Sequence, residues 1–151
     1  MINILVTVGT HRFDDLIIAL DKYYDPLVNF HFQIGNGEYI PVNYSYERFN
    51  DDFPMLLSKF EYVITHAGAG TVYNLLELGK KIIIVPNTQR VDLHQLEISE
   101  YVQANNFGLV ANTCENLIEM IPELFNYEQK CYSKVDFFKF SEINDFLRLK
   151  I

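Results

Sequence analysis

Residues 62–86 read YVITHAGAGTVYNLLELGKKIIIVP, and the fold turns on how this stretch divides. Tyr62-Val63-Ile64-Thr65 is a short β-branched run suited to a buried parallel strand. His66-Ala67-Gly68-Ala69-Gly70-Thr71 follows, with two glycines bracketing an alanine where that strand ends. Val72, Leu75, Leu76 and Gly79 then fall at helical spacing, and Lys80-Lys81 put positive charge at the helix C-terminus. Ile82-Ile83-Ile84-Val85 is a second apolar strand, closed by Pro86. A loop of small residues entering a helix leaves backbone N–H groups unpaired beside the positive end of the helix dipole. Such a place suits an anion, a phosphate foremost. The same glycines equally serve to let a helix pack closely on its strand, and the loop alone does not separate the two readings.

Toward the N-terminus, residues 2–8 form a buried strand and Gly9-Thr10-His11 a turn. A helix is predicted over 13–24, with Phe13, Leu16, Ile17 and Leu20 on one face and Asp14 and Asp15 in its first turn. Pro26 closes this unit. Residues 28–34 (VNFHFQI) form a strand that ends at Gly35-Asn36-Gly37, a strong turn signal. Residues 39–49 read as one extended segment interrupted by Pro41, and Asp51-Asp52 open a short helix over 53–60, with Pro54 at a tolerated early position.

Beyond Pro86 the pattern predicts a polar loop over 87–92, a helix over 93–103, a short strand over 107–111 and a helix over 115–125 that Pro122 kinks or ends. A final amphipathic segment spans 135–151. Strands alternating with helices predict an α/β fold: a doubly wound, Rossmann-like parallel sheet of about six strands, in a single domain over residues 1–151. Ligands of such sheets bind beyond the carboxyl ends of the strands. Gly9-Thr10, Gly35, residues 66–71 and the loop after Pro86 all lie there.

Composition narrows the function. A net charge of −8 over 151 residues argues against a nucleic-acid partner, because neutralising phosphates takes clustered Lys and Arg. Cys114 and Cys131 fit no metal pattern and read as reduced thiols of a cytosolic protein. No signal peptide is evident, and no apolar run approaches the roughly 20 residues of a membrane span. A membrane role would therefore come through a partner. The first strand carries no GxGxxG and no GKS or GKT loop occurs, which disfavours a dinucleotide fold and ATP or GTP hydrolysis. His11, His31, His66 and His94 make no helical metal pair, so no metal and no cofactor are expected. His66 either contacts phosphate or satisfies nearby backbone. Asp92, His94 and Gln95 sit at a helix start on the same edge and suit sugar hydroxyls, although Asp92 equally serves as an N-cap. No Ser–His–Asp set or carboxylate pair emerges from the spacing, so the catalytic residues stay unknown.

Five segments, in order, carry a resemblance: Val6-Thr7-Val8-Gly9-Thr10, Gln33-Ile34-Gly35, His66-Ala67-Gly68-Ala69-Gly70-Thr71, Gly79-Lys80 with the strand ending at Pro86, and His94-Gln95. Over roughly residues 1–110 the chain resembles the C-terminal, donor-binding half of GT-B glycosyltransferases of the MurG type, family 28. It looks most like the stand-alone form of that half. Examples are the small subunit of the split N-acetylglucosaminyltransferase of N-glycan assembly and exopolysaccharide proteins of the PssE type.

The resemblance implies a UDP-sugar donor. Gly68, Ala69, Gly70 and Thr71 would hold the diphosphate, with Gly9 and Thr10 approaching the phosphates from the first strand. Residues 49–55 would flank the uracil mostly through backbone, and His94 and Gln95 would meet the donor sugar hydroxyls. Asn74 stands where the family carries a ribose-binding glutamate; Glu77, one turn on, either compensates or serves packing and solvent. Asn87 stands where an arginine is frequent in the exopolysaccharide members.

The acceptor half and the general base would lie on a membrane-anchored partner subunit. That partner would bring this cytoplasmic chain to the inner face of the cell membrane and a lipid-linked acceptor. The Phe-rich residues 137–149 either dock that partner or cover the domain's own sheet. The expected function is donor binding in a two-chain UDP-sugar hexosyltransferase for surface polysaccharide. The alternative, which Asn74 favours, is a non-catalytic enhancer or chaperone of a separate transferase.

Overall fold

The computed structural model describes residues 1–87 and 93–134, apart from the side chain of Leu93. Strand β1 (Ile2–Thr7) lies at the centre of one sheet and pairs in parallel with β2 (Val28–Gln33) and β4 (Tyr62–His66). β2 pairs with β3 (Ser45–Glu47) at one edge; on the other side β4 pairs with β5 (Lys81–Val85), and β5 with β6 (Leu109–Val110). The six strands run in the order β3-β2-β1-β4-β5-β6, all parallel. In such an order the chain reverses its direction of travel beside β1, which opens a crevice at the carboxyl ends there.

The strands alternate between two cores, as a sheet covered on both faces requires. Ile4 and Val6 join Phe30, Phe32, Ile64 and Ile83 on the face covered by α1 (Asp14–Asp21) and α5 (Cys114–Asn126). Leu5, Val63, Ile82 and Ile84 face α2 (Phe53–Ser58), α3 (Ala69–Glu77) and α4 (Leu93–Ala104). The doubly wound, six-stranded sheet is therefore as the sequence predicts. No helix among the described residues is long and apolar enough to cross a membrane.

Several boundaries differ from the sequence reading. α1 ends at Asp21 rather than Tyr24, and the last strand shrinks to Leu109–Val110. Pro122 lies inside α5 without ending it; two turns earlier Thr113 caps that helix by accepting Asn116 N–H at 3.1 Å. The extended segment expected over 39–49 is mostly irregular, with only three residues paired in β3. The reason is Asp21, only 1% exposed at the end of α1. One of its carboxylate oxygens accepts Tyr39 O–H (2.7 Å) and Val42 N–H (3.0 Å), and the other accepts Asn43 N–H (3.0 Å). The donors of this segment turn to one carboxylate instead of a neighbouring strand. Residues 88–92 and 135–151, which include the candidate Asp92 and the Phe-rich tail, lie outside the described residues.

Replacing Asp21 by alanine strands these donors, and hydrogen bonds to a charged group contribute about 1.5–3 kcal/mol each. With partial rescue by water, D21A is expected to lose about 2–4 kcal/mol in urea unfolding, with β3 the first element to lose hydrogen-exchange protection. A loss below about 0.5 kcal/mol would show that Asp21 does not hold the segment.

Candidate functional site

The site begins with three buried polar residues in register at the carboxyl ends of neighbouring strands. Thr65 pairs with Thr7, and Thr7 with Gln33. Thr65 Oγ1–H donates to Thr7 O (2.9 Å), Thr7 Oγ1–H donates to Gln33 Oε1, and Gly9 N–H donates to Thr7 Oγ1 (3.3 Å). Buried hydroxyls and amides need such partners. Here they tie β4, β1 and β2 together directly beneath the loops.

Those loops interlock through glycine. Gly35 has φ +54°, and a Cβ there would lie 2.6 Å from both Gly9 O and His11 O. Only glycine admits that conformation and that approach without strain. Asn36 clamps the same junction, its N–H donating to His11 O (3.3 Å) and its side-chain amide to Thr10 O (2.7 Å). His66, 3% exposed, lies beside both Gly9 and Gly68, with its ring 5.2 Å from that of His11.

The two loop glycines have different causes. Gly68 is the N-cap of α3 with ordinary backbone angles (φ −75°, ψ 123°), so conformational freedom does not explain it. Space does: a Cβ there would sit 2.5 Å from His66 Nε2. Gly70 lies in the first turn of α3, where an added Cβ would meet nothing within 4 Å. A glycine inside a helix costs roughly 0.5–1 kcal/mol relative to alanine. Packing therefore explains Gly68 and leaves Gly70 open. The N–H groups of Ala69, Gly70 and Thr71 stand ahead of the first intrahelical bond, Val72 N–H to Gly68 O (2.9 Å).

Between this helix start and β2 lies a cleft of about 220 Å3, lined by Gly9, Thr10, Gln33, Thr71, Phe49, Asn50 and Phe53. Asn50 is occupied in bracing it: its amide donates to Glu47 Oε2 (2.8 Å) and its carbonyl accepts Asp52 N–H (2.9 Å). Asp52 in turn caps α2 by accepting Met55 N–H (3.1 Å). Phe49 leaves a large apolar surface exposed in the cleft wall. The arrangement offers backbone donors at one end and aromatic surface at the other. That combination suits a molecule with an anionic part and a flat ring.

Of the predicted site residues, Gly9, Thr10 and Thr71 share the cleft wall, with Gly68, Ala69 and Gly70 contiguous with it. Asn74 is exposed one helical turn beyond Gly70. Glu77, the alternative to it, faces Lys134 Nζ at 3.7 Å. Gln95 is 6% exposed and accepts Asn87 N–H (2.9 Å), an internal bond that ties α4 to the end of β5. Asn87 also donates to Arg12 O (3.2 Å), linking the β5 loop to the β1 loop. His94 is 85% exposed with Glu97 3.4 Å away. The sequence reading missed the roles of Thr7 and Thr65, because a threonine in a β-branched run looks like any other strand former. Cys114 is no candidate nucleophile, since burial, then Asp15 and Glu115, push its thiol pKa up.

The chain is 36% identical over 114 residues to the human UDP-N-acetylglucosamine transferase subunit ALG13, covering 64% of this chain and 10% of that protein. The chain thus spans only a small part of that relative. Among solved structures it superposes on MurG of Acinetobacter baumannii with a TM-score of 0.65 at 23% identity, over 83% of this chain and 43% of that one. A solution structure of ALG13 gives a TM-score of 0.56 at 15% identity, over 94% of both chains. The profile of the glycosyltransferase family 28 C-terminal domain matches residues 3–147, and the chain belongs to that family.

Proposed function

We propose that the chain is the donor-binding subunit of a two-chain glycosyltransferase that moves a sugar from a UDP-sugar to a lipid-linked acceptor, in surface polysaccharide synthesis. The observation that carries this reading is Gly70: an exposed helix-start glycine, beside backbone N–H groups that precede the first intrahelical bond, that the packing does not require. A diphosphate lying against α3 supplies the missing reason, because a side chain at that position would meet the phosphates. Family membership and the similarity to UDP-N-acetylglucosamine transferase subunits support the same donor class.

In this reading the uracil lies toward Phe49, Asn50 and Phe53, and the ribose toward Asn74. The donor sugar lies near Asp92, His94 and Gln95, with Gln95 acting through its hold on the Asn87 backbone. His66 acts by setting the separation of the Gly9 and Gly68 loops. Reaction is a displacement at the anomeric carbon, the acceptor hydroxyl attacking as the bond to the UDP oxygen breaks. The N-terminal amides of α3 stabilise charge on the departing diphosphate, so no metal is needed. The base that takes the acceptor proton belongs to a membrane-anchored partner subunit. Through that partner the chain works in the cytoplasm at the inner face of the membrane.

Calorimetry with UDP tests the donor site directly. Gly70→Asp is expected to weaken UDP binding at least tenfold, about 1.4 kcal/mol. Its melting temperature should hold or rise, because the added Cβ meets open space and a carboxylate favours a helix start by about 0.3–1 kcal/mol. Unchanged UDP affinity in this variant would refute the placement of the diphosphate, and no binding of UDP to the native chain would refute the donor-subunit reading. Asn74→Glu should act in the opposite sense. A carboxylate accepts from a ribose diol more strongly than an amide, so UDP affinity is expected to rise about three- to tenfold. Weaker binding by that variant would move the ribose elsewhere.

A further inference from the structure

A larger hollow, about 510 Å3, opens at the opposite edge of the sheet, where β1 and β2 begin and α1 ends. Its size falls within the range of small-molecule sites. Three tyrosines line it: Tyr23, Tyr24 and Tyr44. Tyr23 and Tyr44 each set their ring edge-on to Phe30, at 6.0 and 5.1 Å. Tyr44 O–H donates to Tyr23 O (2.6 Å), and Asn43 donates its side-chain amide N–H to Asp21 O (2.8 Å). These bonds satisfy carbonyls at the end of α1 and fasten residues 43–44 across it, so the hollow is held from both sides. Tyr24, by contrast, is 82% exposed. It contributes an aromatic face to the hollow without being needed in the core.

The polar groups of the hollow decide what fits. An anion is opposed by Asp21, Asp25 and the negative end of α1. The same carboxylates oppose phenolate formation: burial, followed by Asp25, holds the Tyr23 phenol pKa up, and burial, followed by Asp21, does so at Tyr44. A small cation meets Lys22 in the same hollow, and the Asp21 carboxylate is already filled by donors from Tyr39, Val42 and Asn43, which leaves Asp25 to face Lys22. A purely apolar ligand would cover Lys22 and the remaining acceptor positions of Asp25, Asn29 and Asn43, whose other polar atoms are engaged with Leu27 N–H, Asn3 Oδ1 and Asp21 O. What remains is an uncharged ligand with an apolar face and many hydroxyls. A sugar ring has both. Its C–H face lies on an aromatic ring, while its vicinal hydroxyls donate to carboxylate and amide oxygens and accept from ammonium.

We propose that this amino-edge hollow is a second carbohydrate site, separate from the donor cleft, that holds a neutral mono- or oligosaccharide through Tyr24, Asp25, Asn29 and Asn43. Its place across the sheet from the cleft means that the two sites can be filled together. The inference does not depend on the donor reading, because none of its residues lines the cleft.

Nuclear magnetic resonance titration of the full chain with cellobiose, maltose and N,N′-diacetylchitobiose tests it. At least one disaccharide is expected to shift backbone amides within 21–29 and 43–45 saturably, with a dissociation constant on the order of 1 mM. UDP should bind with the same affinity whether or not the sugar is present. Tyr24→Ala removes an exposed ring, leaves the fold intact and should weaken sugar binding about tenfold. Lys22→Ala, which removes an exposed ammonium donor from the hollow, is a second probe and should also weaken it. The proposal is overturned if no disaccharide shifts these amides, if the shifts fall at the donor cleft instead, or if Tyr24→Ala binds like the native chain. Saturable shifts of the same amides by spermidine, with none by the sugars, would assign the hollow to a cation and overturn it equally.

Discussion

Everything at the carboxyl edge depends on a polar chain running across three strands. Thr65 bonds to Thr7 and Thr7 to Gln33, in a layer from which water is excluded. Apolar side chains in that layer would hold the strands equally close. They would leave register at the strand ends to the backbone ladder and the alternating apolar pattern, because apolar contact is itself non-directional. Hydrogen bonds are directional, and a buried one left unmade costs about 1–3 kcal/mol. The loops that leave these strands carry Gly9, Gly35 and Gly68, whose spacing tolerates little error: the Cβ positions of Gly35 and Gly68 fall 2.5–2.6 Å from neighbouring atoms. A small slip of β2 against β1 would drive Gly35 into the carbonyls of Gly9 and His11. The ladder is what makes that close packing repeatable.

This arrangement also explains how far the sequence could be read. Strand and helix types were legible because the apolar pattern is strong: β1, β4 and β5 are near-continuous apolar runs, as strands covered on both faces must be. The residues after β2 were harder. Tyr39, Ile40, Val42 and Tyr44 have strand-forming side chains, and local propensity points to an extended segment. A single distant carboxylate overrides it. Asp21 looks, in sequence, like the acidic end of an amphipathic helix, and nothing nearby marks it as the acceptor for backbone 21 and 22 residues away. Long-range polar hubs leave no periodic trace.

At the candidate site, legibility followed a similar division. The segments that converge there were identifiable because glycine and strand-end position are local features. What each residue does was not. Gly68 and Gly70 look alike in the string GAG, yet one makes room for a histidine ring and the other faces open space. Gln95, adjacent to His94, points to sugar chemistry by resemblance, whereas its carbonyl oxygen accepts an internal backbone N–H. Such a residue holds α4 to the end of β5. Glu77 shows the reverse case, a carboxylate near the helix whose partner, Lys134, is 57 residues away in sequence.

The two ends of the sheet are electrostatic opposites, and this follows from the topology. In a parallel sheet with helical crossovers, helix N-termini gather at the carboxyl ends of the strands and helix C-termini at the amino ends. Positive partial charge therefore collects around the cleft beside α3, and negative partial charge around the end of α1. The sequence follows this polarity at the first edge by placing small residues, which leave backbone donors uncovered. At the second edge it works against the polarity. Asn43 and Tyr44 satisfy carbonyls at the end of α1, donors from Tyr39, Val42 and Asn43 fill the Asp21 carboxylate, and Lys22 adds a positive charge beside Asp25. Only the first edge keeps its bias toward charge. The second is brought close to neutrality while retaining hydrogen-bonding groups and aromatic surface, which is the electrostatic condition that an uncharged polyhydroxyl ligand requires.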